Sequence, residues 1–283
     1  MTQFNRSASV NITAKGGALI PITRLRIVGT INKTDNKDPN TSTIKIYNMT
    51  ENLSNIIRAT GDIIQVNAGY LDGDGEELIL LGTIKSVDTF PDRPEVVTTI
   101  KILDGKSALD NAKVTINQTG GTGAKSILNK ILATFDIGNN LKTISFSDIN
   151  YQNGFAFAGM SKSALTKVTK FLKLNWSIQN NEINLVPFDS NNGVLGVSIS
   201  PRTGLIGSPQ KIDSTTRKDA GKSDVSTIGW KFDTLLSPKI NPQGQLELTS
   251  KEIPKENIFT VTSVNHSFDT HGRDWISSVE VKE

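Results

Sequence analysis

The sequence predicts a mainly β chain with a small α+β insert lying between two related β-barrels. Apolar residues alternate with period two through the first third and again through the last. Apolar residues at helical spacing are concentrated in the middle. The closing stretch repeats, element by element, the end of the first third.

Ala8-Ser9-Val10-Asn11-Ile12-Thr13, Leu25–Ile31 and Thr43-Ile44-Lys45-Ile46-Tyr47 read as strands. Between the last two lies Asn32–Ser42, rich in Lys, Asp and Asn, which reads as a loop. Thr50–Arg58 offers a polar cap and apolar residues at helical spacing, and Gly61-Asp62 ends that helix. Strands are expected at Ile63–Tyr70 and Leu78–Phe90, joined by the turn Asp72-Gly73-Asp74-Gly75, and again at Val96–Leu103. Six strands and one short helix in this span suit a barrel or sandwich. In the middle, Ile127, Leu128, Ile131 and Leu132 stripe one helix over Ala124–Phe135. Leu165, Val168, Thr169 and Leu172 stripe a second over Ser163–Leu172. Trp176–Ile178 and Ile183–Leu185 flank Asn180-Asn181 as a hairpin. Asp213–Ser226 is poor in apolar residues and reads as a long loop, after which Ile228–Glu283 alternates again.

Composition narrows the chemistry. The 283 residues include no cysteine, which excludes disulfides, thiolate zinc sites and cysteine nucleophiles, and two histidines leave little imidazole for catalysis. The net charge of +3 is scattered, with no Lys/Arg run to mark a nucleic-acid surface. The N-terminal stretch lacks the apolar run of a signal peptide and no window is apolar enough to span a bilayer, so a soluble chain made in a cytoplasm is expected.

The internal echo pairs Leu80–Leu103 with Phe259–Glu283. Each has a strand carrying Ser-Val (Ser86-Val87, Ser263-Val264), a polar turn, and a strand of alternating β-branched residues. Upstream, Leu53–Val66 matches Phe232–Leu248. Two copies of one barrel flanking the insert account for this. A trimer of such chains would present six similar barrels around one axis.

Ser42–Met49, Ile56-Ile57, Gly61-Asp62, Val66–Tyr70 and Leu80–Ile84, in this order, resemble the baseplate hub proteins of contractile phage tails. Gly204–Pro209, Leu235–Pro238 and His266–Trp275 extend the likeness, which is weakest over 113–200. These are tube-forming proteins similar to late control protein D and to the hub part of type VI secretion spikes. The resemblance implies a first tube-type β-barrel over 1–112, an α+β insert over 113–194 and a second tube-type barrel over 195–283. It also implies a homotrimeric, pseudo-sixfold ring that joins the sixfold tail tube protein to the threefold central spike protein. Other baseplate subunits are further partners, and the place of work is the virion, in the tail baseplate.

Against this stand a tail-associated cell-wall-degrading enzyme and an OB-like nucleic-acid binder. His266, Asp269, His271 and Asp274 have metal-ligand side chains, but they fall where a turn between strands is expected. Asp72–Glu77 resembles part of a calcium loop and lacks its remaining spacing. Gly120–Ser126 has Ala124 where a phosphate loop requires Gly, and reads as a helix N-terminus. Glu76, Glu77 and Glu95 could pair for glycoside hydrolysis, yet aromatic sugar-stacking residues do not accompany them, and Trp176, Trp230 and Trp275 read as core. The sequence therefore predicts no enzyme, no catalytic, cofactor or metal residues, no cofactor, no membrane partner and no sequence-specific nucleic acid.

Overall fold

The computed structural model describes residues 5–141, 143–188, 195–216, 225–253 and 258–282. The first third folds as β1 (Arg6–Ala14), β2 (Leu19–Ile22), β3 (Ile27–Thr34), β4 (Thr41–Tyr47), α1 (Glu51–Thr60), β5 (Gly61–Tyr70), β6 (Gly75–Asp92) and β7 (Glu95–Leu103). The alternation read in the sequence is the inside–outside alternation of these strands. Ile12, Ile27, Ile31, Ile44 and Ile46 are buried while their neighbours are not. Each fully buried Ile contributes about 1.5–3 kcal/mol. Helix α1 starts where Thr50 accepts the Leu53 N–H at 3.3 Å. It ends where the Gly61 N–H returns to the Ile57 carbonyl, with Glu51 in its first turn and Arg58 in its last, matching the helix dipole.

The middle holds α2 (Lys106–Asn111), β8 (Lys113–Gln118), β9 (Thr122–Gly123), α3 (Ala124–Leu132), β10 (Gly138–Asn139), β11 (Asn150–Tyr151), β12 (Phe155–Met160), α4 (Ser161–Phe171), β13 (Leu174–Gln179) and β14 (Glu182–Pro187). Ile127, Leu128, Ile131 and Leu165 are fully buried there, in one core with Trp176. The β13–β14 hairpin turns on Asn180 and Asn181, both at positive φ, the geometry a two-residue loop requires. The Asp104 carboxylate accepts both of their N–H groups, at 2.9 and 2.7 Å.

The last third holds β15 (Leu195–Ile199), β16 (Leu205–Thr216), β17 (Val225–Leu235), β18 (Gln245–Leu248), β19 (Ile258–Asp269) and β20 (Trp275–Lys282). Two readings need correction here. Asp213–Thr216 and Val225–Ser226 belong to the paired strands β16 and β17, and only 217–224, outside the described residues, separates them. Their polar sequence still makes a strand because a ladder is built from backbone groups that every non-proline residue carries. His266 and Asp269 lie in β19, so the turn is restricted to Thr270–Asp274. The strands β2, β8 and β12 and the helix α2 are additions to the sequence reading.

The chain divides into two compact units, one of 1–34, 41–102 and 193–283, the other of 35–40 and 103–192. The connection between β3 and β4 thus belongs to the second unit, where Asn40 donates to the Ile178 carbonyl and Asp38 pairs with Lys162 at 3.0 Å. In the first unit, thirteen strands among the described residues form one sheet in the order β16-β17-β20-β19-β3-β4-β7-β6-β5-β1-β2, with β18 joining β19 and β15 joining β18. This order contains a repetition. The run β3-β4-β7-β6-β5 and the run β16-β17-β20-β19-β18 place their first, second, fifth, fourth and third strands in the same succession. The copies differ between their second and third strands, where the first has α1 and the second has turns over 236–244. They also differ in what covers the third strand: β1 pairs antiparallel with β5, and β15 pairs parallel with β18.

The runs meet at β3 and β19, antiparallel from Ser263↔Thr34 to Asp269↔Val28. Gly29 faces Phe268 in that register, and a Cβ at Gly29 would sit 2.2 Å from the Phe268 ring. Phe268 cannot yield easily, because it packs edge-on against Trp275 with centroids 5.7 Å apart, and both rings are fully buried. Gly29→Ala is therefore expected to destabilise the first unit by about 1–3 kcal/mol. Gly16→Ala, where nothing lies within 4 Å of the added atom, should stay within about 0.5 kcal/mol. Urea unfolding midpoints of the two variants check this.

Candidate assembly site

The β3–β19 joint is tied at one end by charge. Arg26, just before β3, donates from Nε to Asp269 Oδ1 at 3.1 Å and from Nη2 to Oδ2 at 2.7 Å. The Arg26 guanidinium also stacks 4.5 Å from the Tyr47 ring and lies 3.8 Å from Glu95. It holds the Asp269 carboxyl below the usual carboxylate range, against partial burial, with the His271 N–H helping at 2.9 Å. Thr270 closes the end of the ladder, its N–H donating to the Ile27 carbonyl and its hydroxyl accepting from the Ile27 N–H, both at 3.0 Å.

Further along the joint, Asn265 donates to Asn32 directly opposite. Lys33, only 1% exposed, donates from Nζ to Asn241 Oδ1 at 2.8 Å. His266 is fully buried, and its Nδ1 shares a hydrogen bond of 2.8 Å with the Ser277 hydroxyl on β20. Burial pushes its pKa down to about 3, aided by the Lys33 charge and partly opposed by the Ile240 backbone. The imidazole is thus neutral at neutral pH and is fixed inside the sheet.

A second feature is the tip of the β5–β6 hairpin, Leu71–Asp74. Lys239 pairs with Asp74 and lies 3.4 Å from Glu77. Each member of the first pair stabilises the charge of the other, raising Lys239 and lowering Asp74. A cleft of about 340 Å³ opens beside this tip, lined by Tyr70, Val197, Arg202, Thr203 and Pro238 among others. Burial pushes the Tyr70 hydroxyl up to about 12, so it stays protonated.

These contacts place the candidate chemical groups. Of the four metal-type side chains, Asp269 is held by Arg26 and His266 by Ser277, and the Thr270 hydroxyl and His271 Nδ1 are 2.9 Å apart. Among the described residues, no group of three or more His, Asp or Glu side chains could hold a metal ion. In the hairpin, Glu76 accepts from Ser7 and Ser9, while Asp74 and Glu77 face Lys239. Glu95 lies by Arg26 and accepts from Asn48. In the second unit, the start of α3 is closed by Asp148, whose carboxylate accepts the Lys125 N–H at 2.8 Å and so occupies the place of an anion. Trp176, Trp230 and Trp275 sit in three separate cores. The sequence reading did not find the Arg26–Asp269 tie, because its partners stand 243 residues apart.

No family model matches the chain, and no curated protein matches it. Solved structures do. A tail protein of Neisseria meningitidis superposes with a TM-score of 0.65 at 10% identity, over 99% of this chain and 97% of that one. The 43 kDa tail protein of prophage MuSo2 from Shewanella oneidensis does so at 0.63 and 10% identity, over 98% and 96%. An E. coli component of the type VI secretion system, described as similar to T4 bacteriophage tail proteins, gives 0.55 at 12% identity, over 91% and 72%. At these identities the likeness is one of fold. The chain has the mainly β fold of phage tail proteins, in keeping with the mainly β class read from the sequence.

The buried His266 makes stability depend on pH. In the unfolded chain it takes a proton near its ordinary value of 6.5, and in the fold only near 3. Above 6.5 the fold therefore has its full stability, and below it the unfolded state binds the extra proton, so stability falls as pH falls toward 3. Denaturant midpoints should decline between about pH 6.5 and 5, above the carboxylate range, and His266→Gln should flatten that slope.

Proposed function

We propose that the chain is the structural hub of a phage tail baseplate: a homotrimeric ring of six related barrels that joins a sixfold tail tube to a threefold central spike. The observation that carries this reading is the repeated strand order, β3-β4-β7-β6-β5 and β16-β17-β20-β19-β18, within one sheet. Three copies of such a chain offer six similar units with threefold exact symmetry, which meets both neighbours at once. The tube-type barrels of this reading are the 1–112 and 195–283 segments, and the α+β insert over 113–194 is free to serve other baseplate subunits. The polar face of β5 and β1 suits a water-filled lumen. Gln65 donates to Asn67 at 3.1 Å, Asn67 donates to Ser9, and the alternate residues Ile64, Val66 and Ala68 are buried. The virion is then the place of work, and the role is not enzymatic. The carboxylates that a wall-degrading enzyme would need are held by Lys239, Arg26 and serine hydroxyls.

Assembled tails provide the test. Three copies at the junction of tube and spike are expected by quantitative mass measurement and imaging of the particle. Another copy number, or a position off the tail axis, overturns the reading. A clearing zone in a peptidoglycan zymogram with the purified chain would favour the wall-degrading enzyme instead.

A further inference from the structure

Strand β19 serves two partners in succession. Its first residues, Ile258–Thr260, pair with β18, and Ser263–Asp269 pair with β3. By the repeated strand order, β6 is the counterpart of β19 and β5 the counterpart of β18. Strand β5 covers β6 only from Gly75 to Thr83. Beyond it, among the described residues, no strand takes the place on β6 that β3 takes on β19. Strand β16, the counterpart of β3, ends the sheet and pairs among the described residues with β17 alone. One copy of the repeat thus has the socket without the strand, and the other has the strand without the socket.

We propose that these two edges meet between chains: β16 of one copy adds antiparallel to the Ser86–Asp92 end of β6 in a second copy of this chain. The internal β3–β19 joint is the template for the contact. A ring of three chains would then carry three internal joints and three intermolecular ones of the same kind, alternating around the axis. This proposal rests on the ring reading above and specifies which edges close the ring.

Local features agree with an edge awaiting a strand. The Val87 carbonyl accepts from Arg58 Nε of α1 at 3.2 Å, whereas its counterpart Val264 lies opposite Lys33 of β3. Arg58 also donates to Thr89 Oγ1, so one side chain screens this edge in the single chain, as free edges require. Beside the two edges stand exposed apolar side chains, Phe90 at 63% and Ile206 at 42%. Pro209 and the register shift between Ile206 and Gln210 interrupt β16 on its β17 side, which discourages indiscriminate pairing.

The absence of natural cysteine makes the test direct. One full-length chain carries Gln210→Cys and a differently tagged one carries Phe90→Cys. They are mixed at high concentration and treated with a short bis-maleimide matching the diagonal cross-strand spacing of about 7–8 Å. A product bearing both tags is expected at a yield at least about tenfold above a control that pairs Gln210→Cys with Leu19→Cys on β2. Lys211→Cys with Asp88→Cys is the second pair, should the first variants fold poorly by circular dichroism. A trimeric mass with no β16–β6 product from either pair overturns the edge pairing and leaves the ring reading standing. A chain that stays monomeric at every concentration, with no cross-linked product, overturns both.

Discussion

The pairing of β3 with β19 is the constraint on which the rest of the first unit depends. It is the only strand pair in the described sheet that connects the first third of the chain to the last. A register shift in the β19–β20 ladder between Val261 and Ser263 falls where β19 changes partner from β18 to β3. An irregularity of this kind bends a strand and increases its twist. One strand can then serve two neighbours that need not lie in the same direction. The close approach at Gly29 and Phe268 fixes the lateral position of the joint, and the Arg26–Asp269 fork fixes its end.

The joint is unusually polar for a buried seam. Lys33, His266 and Ser277 are almost wholly buried, and each has a polar partner near it. An apolar seam would stabilise at least as much, since desolvating charged and polar groups offsets much of what their pairing returns. What polar groups add is register. A slip of β3 by one residue would separate Asn32 from Asn265, carry Lys33 away from Asn241 and turn every side chain to the opposite face. Apolar contacts tolerate small displacements, whereas an unsatisfied buried donor costs about 1–3 kcal/mol.

Local patterns were legible in the sequence and distant ones were not. Alternating Val10, Ile12, Ile44 and Ile46, the Thr50 cap and the Asn180-Asn181 turn each signal through neighbours a few residues away. Strand β2 was missed because Pro21 sits within its four residues, and proline argues against a strand unless the edge position is known. The polar ends of β16 and β17 were missed because backbone pairing, not apolar alternation, makes them strands. The echo of Leu80–Leu103 in Phe259–Glu283 was visible as element order, and the structure extends it to five strands of the same succession. The cluster from His266 to Asp274 could not be resolved from sequence. Whether such side chains ligate a metal or tie strands is decided by Arg26 and Ser277, and only one of these lies nearby in the chain.

The differences between the two copies matter as much as their agreement. Identical repeats would make a ring whose two faces could not distinguish six positions from three. Here α1 stands in the first copy where the second has turns rich in proline, with Pro238 and Pro242. Helix α1 lies along β6 and engages its edge through Arg58, while the turn of the second copy supplies Lys239 to the β5–β6 hairpin tip and Asn241 to Lys33. The shared elements are those that pair edge to edge, and the divergent ones lie between the second and third strands. On the proposed ring, conserved pairing keeps six units in register while these divergent segments alternate around it. That alternation lowers sixfold to threefold symmetry without interrupting the sheet. A duplicated chain can do this because its copies are free to diverge, which identical subunits of a sixfold ring are not.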